Sequence, residues 1–341
     1  MSTPRVTTTL LKPAQDPARV LVVGAGLGTG VQALWSLAAQ QLPEDTVVVG
    51  YDLPGHGASE PHAEPFSMAE LADAVVAAVQ ALQEDGTVPA DLPVHFAGVS
   101  LNGCVALQLA LDHADTVSGV AVICSAAKIG EAGSWRERAE LVERAGTPTL
   151  VEGSAQRWFA DGFIAAHPER TTGLLHTLQE ADRHSYARLC EALADFDVRG
   201  RLGEIAVPVL TIHGVADQVT PPSAGEEIAA AVPGTVTHVF DETAHQAPLQ
   251  QPQRTAAAPA VKTAGKPAAK AAGNQCEGSS ALTGGPANRR ARSRATRSAA
   301  TPSRARPASP SRCCSTPPPG SRSGCAPRAP TPPCRSTRRR R

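Results

Sequence analysis

The sequence predicts an α/β fold, with a mostly parallel, doubly wound sheet, a helical cap and a basic tail. Short runs rich in Val and Ile alternate with segments of helical periodicity, which is typical of a parallel sheet. A middle segment of about seventy residues carries no strand pattern and is too long for a plain loop. The composition changes abruptly after residue 254. These observations predict four segments: a first part of the core over 1–127, a cap over 128–201, a second part of the core over 202–254 and a disordered tail over 255–341.

Buried strands are expected where short apolar runs occur, most of which end at Gly, Asp, Pro or His. The six runs are Arg19–Val23, Thr46–Tyr51, Val94–Ala97, Val117–Cys124, Val207–His213 and Thr235–Phe240. Apolar residues at helical spacing predict the helices between them. These helices are Val31–Gln41, Met68–Leu82, Leu101–Asp112 and Ser223–Val232. Ser67 and Glu70 form a capping-box pattern that predicts where the second of these helices begins.

The segment over 128–201 is predicted to form a helical cap over the strand ends. Its composition is helical, and it contains Trp135, Trp158, Phe159 and many charged residues. The alternation of strand and helix resumes at Val207.

Charge divides the chain into two parts of opposite sign. Residues up to Arg254 include 14 Lys and Arg against 31 Asp and Glu, whereas residues from Thr255 onward include 18 basic residues and one acid, Glu277. The acidic part offers no surface suited to nucleic acid. The basic part has one Leu, one Val and no Ile, Met, Phe, Tyr or Trp. Such a segment cannot bury enough apolar surface to offset its ordering entropy, so we expect disorder.

Two origins of the tail stay open. Arg, Ala, Pro, Ser, Gly and Cys dominate it, as GC-rich DNA read out of frame would produce, so one hypothesis is a frameshift after about Pro252. The other is a functional basic tail that binds nucleic acid or anionic membranes nonspecifically. The tail lacks the aromatic residues that alternate with basic ones in RNA-binding segments.

The cysteines and the N-terminus predict a reduced, soluble, cytoplasmic protein. Cys104, Cys124 and Cys190 are scattered through the acidic part and are expected to be buried thiols. The tail has no His, and its cysteines form no CxxC pair, so a zinc site there is not expected. The N-terminus lacks a signal-peptide pattern, and no stretch approaches the ~18 apolar residues of a membrane span. We therefore expect no zinc site in the tail and no membrane partner, and the oligomeric state stays open.

The strongest chemical signal is Gly98-Val99-Ser100-Leu101-Asn102, between a predicted strand and a predicted helix. A serine on such a sharp turn stands clear of the sheet, at a helix N-terminus that favours negative charge. This context predicts that Ser100 is the nucleophile of an α/β-hydrolase fold. Asn102 occupies the position that is most often Gly, and its side chain must fit somewhere. We expect Asn102 to weaken the motif, so Asn102→Gly should leave activity unchanged or raise it.

A catalytic acid and a catalytic base are predicted at Asp217 and His245. Both follow predicted strands, where a carboxylate can orient an imidazole. His245 would serve Ser100 as general base and then protonate the leaving group. In isolation, each residue is more simply interpreted as an ordinary loop residue. The order Ser, acid, His is that of α/β-hydrolases, and it favours catalysis.

An oxyanion hole requires two backbone N–H groups. Leu101, directly after the nucleophile, is predicted to supply one, and Leu27 in the glycine-rich loop after the first predicted strand is predicted to supply the other. The same loop is similar to a dinucleotide-binding motif, but its glycines at 24, 26, 28 and 30 do not fit the required spacing. The spacing therefore argues against an oxidoreductase.

Two further histidines are not expected to be catalytic. His56 lies at a turn in Pro54-Gly55-His56-Gly57, which predicts a structural role. His95 lies within a predicted strand and is expected to be a core residue whose hydrogen bonds are satisfied.

Several segments carry a resemblance to a known family over about residues 18–252. They are Leu27–Thr29, Tyr51–Ser59, His95–Leu101, Val122–Gly130, Trp135–Arg138 and Gly153–Phe159. On these segments the sequence resembles the 3-oxoadipate enol-lactonase family of α/β-hydrolases. The turn motifs are shared widely among α/β-hydrolases, whereas the cap segments are more specific because caps set substrate choice.

The resemblance implies hydrolysis of 3-oxoadipate enol-lactone to 3-oxoadipate through an acyl-enzyme, without metal or cofactor. The small lactone carries a free carboxylate, and the candidate cap residues that would meet it are Trp135, Arg136 and Arg138. Some relatives continue into a carboxymuconolactone decarboxylase domain, a pattern from which the tail of this chain departs. Two alternatives stay open: a carboxylesterase or other lactonase of the same fold, and a catalytically impaired hydrolase-like binding protein.

Overall fold

The computed structural model describes residues 3–258, and seven strands in this range form one sheet. The strands are β1 (Thr7–Lys12), β2 (Arg19–Gly24), β3 (Thr46–Asp52), β4 (Val94–Val99), β5 (Gly119–Ile123), β6 (Val209–Gly214) and β7 (Val236–Phe240). Their order across the sheet is β1-β3-β2-β4-β5-β6-β7, and only β1 is antiparallel to its neighbour. The predicted α/β fold with a mostly parallel, doubly wound sheet is confirmed.

The Val-rich runs are explained by burial on both faces of the sheet. Every residue of β3, β4 and β6 is buried, as expected for central parallel strands covered by helices. β1 was not predicted, because its sequence TTTLLK has no apolar alternation. It is an edge strand whose side chains stay partly exposed, so its sequence is not constrained by a core. β6 begins two residues later than predicted, after Pro208, which has no N–H to donate to a neighbouring strand.

Eleven α-helices occur among residues 3–258. They are α1 (Val31–Ala39), α2 (Met68–Glu84), α3 (Leu101–Asp112), α4 (Ala132–Ala145), α5 (Val151–Trp158), α6 (Phe163–Ala166), α7 (Pro168–Glu180), α8 (Arg183–Asp195), α9 (Pro222–Ala231), α10 (Ala247–Gln250) and α11 (Pro252–Ala257). The capping box at the start of α2 is confirmed: the Glu70 N–H donates to Ser67 Oγ at 3.2 Å, and the Ser67 N–H donates to Glu70 Oε2 at 2.8 Å. None of the helices in the described range is long and apolar enough to cross a membrane.

Helices α4 to α8 form one insertion between β5 and β6, which we call the helical insertion. Within the insertion, α4 and α8 pack side by side. The insertion also contacts the loop after β2, where a β-carbon on Gly28 would lie only 2.6 Å from Leu178 Cδ1 of α7. Gly28 has a φ of +83°, so the loop after β2 needs glycine both for its backbone conformation and for this close approach. The insertion therefore lies directly on that loop.

The last described turns of the chain pack on α1. Thr255 is buried and α11 continues to Ala257, so the structured part extends beyond the boundary predicted at residue 254. An apolar cavity of about 440 Å³ lies beside α11, between α1 and the sheet, and Leu21, Trp35 and Phe96 line it. The predictions for residues 259–341 lie outside the described residues.

The three cysteines of the described range, Cys104, Cys124 and Cys190, are buried free thiols, as predicted.

Candidate active site

The loops that follow β2 and β4 meet at one edge of the sheet. Because β3 and β4 lie on opposite sides of β2, the carboxyl ends of β2 and β4 border the crevice where the winding reverses. Such a crevice is the usual ligand site of an open α/β sheet. Gly24 of β2 is paired with Gly98 of β4. The two loops lie in contact, since a β-carbon on Gly26 would be 3.3 Å from Ser100 Cβ.

Ser100 sits on a strained turn between β4 and α3. Its φ of +57° and ψ of −120° are rare for a residue with a side chain. Its N–H donates to the Ile123 carbonyl at 3.0 Å, and its carbonyl accepts a hydrogen bond of 2.7 Å from Ser125 Oγ. The turn also requires glycine at position 98, where a β-carbon would lie 1.8 Å from the Asn102 carbonyl oxygen. These contacts hold the serine at the start of α3, in the position predicted for a nucleophile.

The expectation that Asn102 weakens this turn is wrong. Its side chain is fully buried. Its Nδ2 donates to the Ala25 carbonyl, and its Oδ1 accepts from the Tyr51 hydroxyl. The crowding of the turn falls on Gly98, whereas the Asn102 side chain fits because Gly24 leaves room for it. Asn102→Gly would remove two buried hydrogen bonds, so we expect it to lower activity instead of leaving it unchanged or raising it.

Asp217 and His245 form a buried hydrogen-bonded pair. His245 Nδ1 lies 2.9 Å from Asp217 Oδ2 and 3.1 Å from Oδ1. The carboxylate also accepts hydrogen bonds from the Val219 N–H at 2.8 Å, the Thr220 N–H at 3.1 Å and the Thr220 hydroxyl at 2.9 Å. Burial alone would raise the pKa of Asp217, but the charge of His245 and these donors outweigh it and lower the pKa from its ordinary value. An ionised Asp217 can hold His245 with Nδ1 protonated, which leaves Nε2 as the basic atom.

Ser100, His245 and Leu27 line one cavity of about 240 Å³. Gly26 also lines it, together with Trp135, Arg138, Ser154, Arg157 and Tyr186 from the helical insertion. The sheet thus supplies the groups predicted to react, and the insertion supplies the opposite wall. This volume lies below the roughly 300–1,000 Å³ of pockets for drug-sized ligands, so it suits a smaller molecule.

The backbone around Leu27 is held on both sides. The Ala25 carbonyl accepts from Asn102, and the Gly28 N–H donates to His56 Nε2 at 3.1 Å. The Leu27 N–H between them has no acceptor among residues 3–258. The Leu101 N–H lies at the first turn of α3, where backbone N–H groups have no partner within the helix. Neither of the two N–H groups predicted to form the oxyanion hole thus has a hydrogen-bond acceptor within residues 3–258.

His56 holds the loop after β2 through the Gly28 N–H. Its Nδ1 donates to the Pro54 carbonyl at 2.9 Å, so the neutral ring has Nε2 available to accept from Gly28. Burial lowers the pKa of His56, which favours this neutral form. Its ring stacks on Tyr186 of α8 at a centroid distance of 5.9 Å. Its contacts are those of a structural residue that links the loop to the helical insertion.

His95 is buried in β4, but the expectation that its hydrogen bonds are satisfied is wrong. Its Nδ1 has no partner within the described range. Burial lowers the pKa of this histidine as well.

Two of the three predicted substrate-binding residues line the cavity, and the third does not. Arg138 lines the cavity, and its guanidinium lies 4.8 Å from the centre of the Trp135 ring. Trp135 lines the cavity too, but its Nε1 donates to the Ile129 carbonyl at 2.5 Å and is not free for a substrate carboxylate. Arg136 is exposed, forms an ion pair with Asp195 at 2.6 Å and is not among the residues that line the cavity.

Arg157 of α5 is a cavity residue that the sequence analysis missed. It is partly buried, and its pKa is lowered by burial and by the positive charge of Arg138. Neither Arg138 nor Arg157 forms an ion pair with a carboxylate in the part of the chain that the structure describes. Two neighbouring guanidinium groups without a counter-ion attract an anion.

The chain is similar to several known α/β-hydrolases. A family model described as the alpha/beta hydrolase family matches residues 20–258. The 3-oxoadipate enol-lactonase 2 of Acinetobacter baylyi is 35% identical over 240 residues, which cover 70% of this chain and 86% of that protein. The pimeloyl-(acyl-carrier protein) methyl ester esterase of Vibrio cholerae is 31% identical over 237 residues, which cover 66% and 86%.

Among solved structures, the enol-lactonase from Burkholderia xenovorans is similar to this chain with a TM-score of 0.67 and 26% identity. The match covers 74% of this chain and 94% of that one.

Proposed function

Because the chain belongs to the alpha/beta hydrolase family, we propose that it hydrolyses 3-oxoadipate enol-lactone to 3-oxoadipate, with Ser100 as the nucleophile. The similarity to esterases and to enol-lactonases supports hydrolysis of a lactone or ester. One observation carries the choice of substrate: the cavity that contains Ser100 and His245 also contains the guanidinium groups of Arg138 and Arg157. A small lactone that carries a carboxylate fits this cavity, because its ester carbonyl can lie at Ser100 while its carboxylate lies at the two arginines.

The first half of the reaction forms an acyl-enzyme. Ser100 Oγ attacks the lactone carbonyl while His245 Nε2 takes the hydroxyl proton, and the carbonyl oxygen becomes an oxyanion. The N–H groups of Leu27 and Leu101 stabilise that oxyanion. The ring C–O bond then breaks, the leaving enolate takes the proton from His245, and the enol becomes the ketone. The ring-opened acid stays attached to Ser100 as an ester.

The second half restores the enzyme. Water attacks the ester carbonyl as His245 removes one of its protons, and the same N–H groups stabilise the second oxyanion. The bond to Ser100 Oγ breaks, the serine regains its proton from His245, and 3-oxoadipate leaves. Asp217 holds the imidazole in one tautomer and stabilises its positive charge in both halves. Each step uses only groups of the chain and water.

Loss of the ultraviolet absorbance of the enol-lactone tests the proposal on purified protein. We expect turnover by the wild type, and a loss of activity to about the level without enzyme for Ser100→Ala, whose melting temperature should be unchanged. Substantial hydrolysis by Ser100→Ala would overturn the assignment of the nucleophile. No turnover of any ester by the folded wild type would favour the binding-protein alternative.

A carboxylesterase is the second candidate, and the similarity to the methyl ester esterase favours it. The ratio of kcat/KM for the enol-lactone to kcat/KM for uncharged p-nitrophenyl esters separates the two. A higher value for the lactone supports the proposed substrate, and a higher value for the neutral esters supports the carboxylesterase.

A further inference from the structure

The side chain of Asn102 connects the start of α3 to the loop after β2. Asn102 lies two residues after Ser100, and its side chain is fully buried between β2 and β3. The Ala25 carbonyl can only accept a hydrogen bond, so the NH₂ group of the amide must face it. The amide oxygen then faces the Tyr51 hydroxyl, which donates. Burial raises the pKa of Tyr51 well above its ordinary value, so this hydroxyl stays protonated.

The surrounding backbone fits this side chain closely. A β-carbon on Gly24 would lie 2.6 Å from Asn102 Cγ and 2.8 Å from its Nδ2. The Gly24 carbonyl is also held, because it accepts from Trp35 Nε1 at 3.1 Å. The last residue of β2 therefore leaves space for Asn102 and is fixed against it. Ala25 follows directly, and Leu27 is two residues further along.

We infer that Asn102 is a positioning residue that sets the distance between the two N–H groups of the oxyanion hole, an inference that rests on the proposed function. Leu101 and Asn102 are adjacent on α3, and Asn102 binds the loop two residues before Leu27. The same helix thus carries one N–H of the hole and holds the loop that carries the other. Asn102 does not touch the substrate. The oxyanion exists only in the transition state and the intermediates. Removing the Asn102 side chain should therefore lower kcat more than it raises KM.

The test compares the wild type with four variants on p-nitrophenyl acetate, a small neutral ester whose hydrolysis does not depend on the identity of the natural lactone. One of the four, Ser100→Ala, checks the nucleophile. Asn102→Gly removes both hydrogen bonds of the amide, and Tyr51→Phe removes one and keeps the bond to Ala25. Cys104→Ala is the matched control, since Cys104 is equally buried on α3 but faces Ser125 and Ala126 instead of the loop. Melting temperature and circular dichroism are measured for each.

We expect kcat to fall about 10- to 100-fold in Asn102→Gly, with KM changed less than about threefold. Tyr51→Phe should lose less, about three- to tenfold, and Cys104→Ala should keep the wild-type kcat. Phenylboronic acid gives a second readout. Its boron takes up an electron pair of Ser100 Oγ as the hydroxyl proton moves to His245, and an oxygen of the tetrahedral adduct enters the oxyanion hole. Its inhibition constant should rise with the loss in kcat.

The inference is overturned if folded Asn102→Gly keeps kcat within twofold of the wild type, or if its whole effect is on KM. If Asn102→Gly does not fold, Tyr51→Phe decides: an unchanged kcat and boronate affinity overturn the inference, and a parallel loss in both supports it. Full activity of Ser100→Ala on the same ester would overturn the proposed nucleophile and this inference together. If the wild type hydrolyses p-nitrophenyl acetate but not the enol-lactone, the proposed substrate is overturned. The inference about Asn102 is then decided by the ester data.

Discussion

Replacing Arg157 by Met should reduce activity on an anionic lactone and spare activity on a neutral ester. Arg157 lines the cavity beside Arg138, and neither guanidinium has a carboxylate partner within residues 3–258. Met keeps much of the length and apolar bulk of the side chain and removes its charge. The variant therefore isolates the electrostatic contribution of one of the two arginines.

The magnitude follows from the position of the guanidinium. Two unit charges about 5 Å apart attract by roughly 3 kcal/mol at an effective dielectric constant of about 20. Arg157 is only partly buried, so water reduces this value, and a hydrogen bond to a charged group contributes about 1.5–3 kcal/mol. A loss of about 2 kcal/mol is therefore expected, which corresponds to roughly 30-fold in kcat/KM.

The assay measures kcat/KM for the enol-lactone and for p-nitrophenyl acetate in parallel. The matched control is Arg136→Met, which removes an exposed arginine of α4 that binds Asp195 and not the cavity, and both rates should stay near wild type. The melting temperature of Arg157→Met should not fall, because the substitution also removes the repulsion from Arg138 that lowers the pKa of Arg157. Equal losses on the charged and the neutral substrate would refute the reasoning, since charge would not then be what Arg157 recognises.

Three further outcomes are expected. Asp217→Asn should lower kcat by about 10³- to 10⁴-fold at neutral pH on either substrate, because a neutral amide does not stabilise the positive charge of the His245 imidazolium. A loss below tenfold would contradict the role of Asp217 as the catalytic acid of the triad. The free energy of unfolding should fall as the pH drops below about 6.5. Burial lowers the pKa of three histidines, so the unfolded chain binds more protons than the folded one in this range. Equal free energies of unfolding from urea titrations at pH 7.5 and 5.5 would contradict this. These histidines are His56, His95 and His213. Deleting Lys262–Arg341 should leave the melting temperature and activity unchanged, because residues 3–258 bury the core themselves; a large drop in either would show that the deleted residues contribute to the fold.

The sheet and the order of the chemical groups were predictable because both leave one-dimensional patterns. Central parallel strands are buried on both faces, so they appear as runs of Val and Ile. The sharp turn at Ser100 needs glycine at position 98, and that requirement is visible in the sequence. The edge strand β1 leaves no such pattern, because its side chains are half exposed and its threonines fit a strand as well as a loop.

The cavity residues of the helical insertion were predicted only in part, because helical spacing was not used. Each residue of an α-helix turns by about 100°, so residues two apart point to nearly opposite sides. Arg136 and Arg138 of α4 therefore could not both line the cavity, whereas Trp135 and Arg138, three apart, share a face. Arg157 left no comparable signal, since an arginine on a short amphipathic helix is most often a surface residue.

The relation between Gly24 and Asn102 predicts a coupling that neither position shows alone. Gly24, the last residue of β2, has no side chain, and the Asn102 side chain fills the space that this leaves. Gly24→Ala places a β-carbon 2.6 Å from Asn102 Cγ, and overpacking of this kind costs about 1–3 kcal/mol. Asn102→Gly removes the clashing atoms, so the double variant should be more stable than the sum of the two single losses predicts, by about 1–2 kcal/mol. Urea unfolding of the four proteins measures this coupling. Additive losses would mean that the strand end moves away from α3, and the close fit between Gly24 and Asn102 would then not be what holds the loop in place.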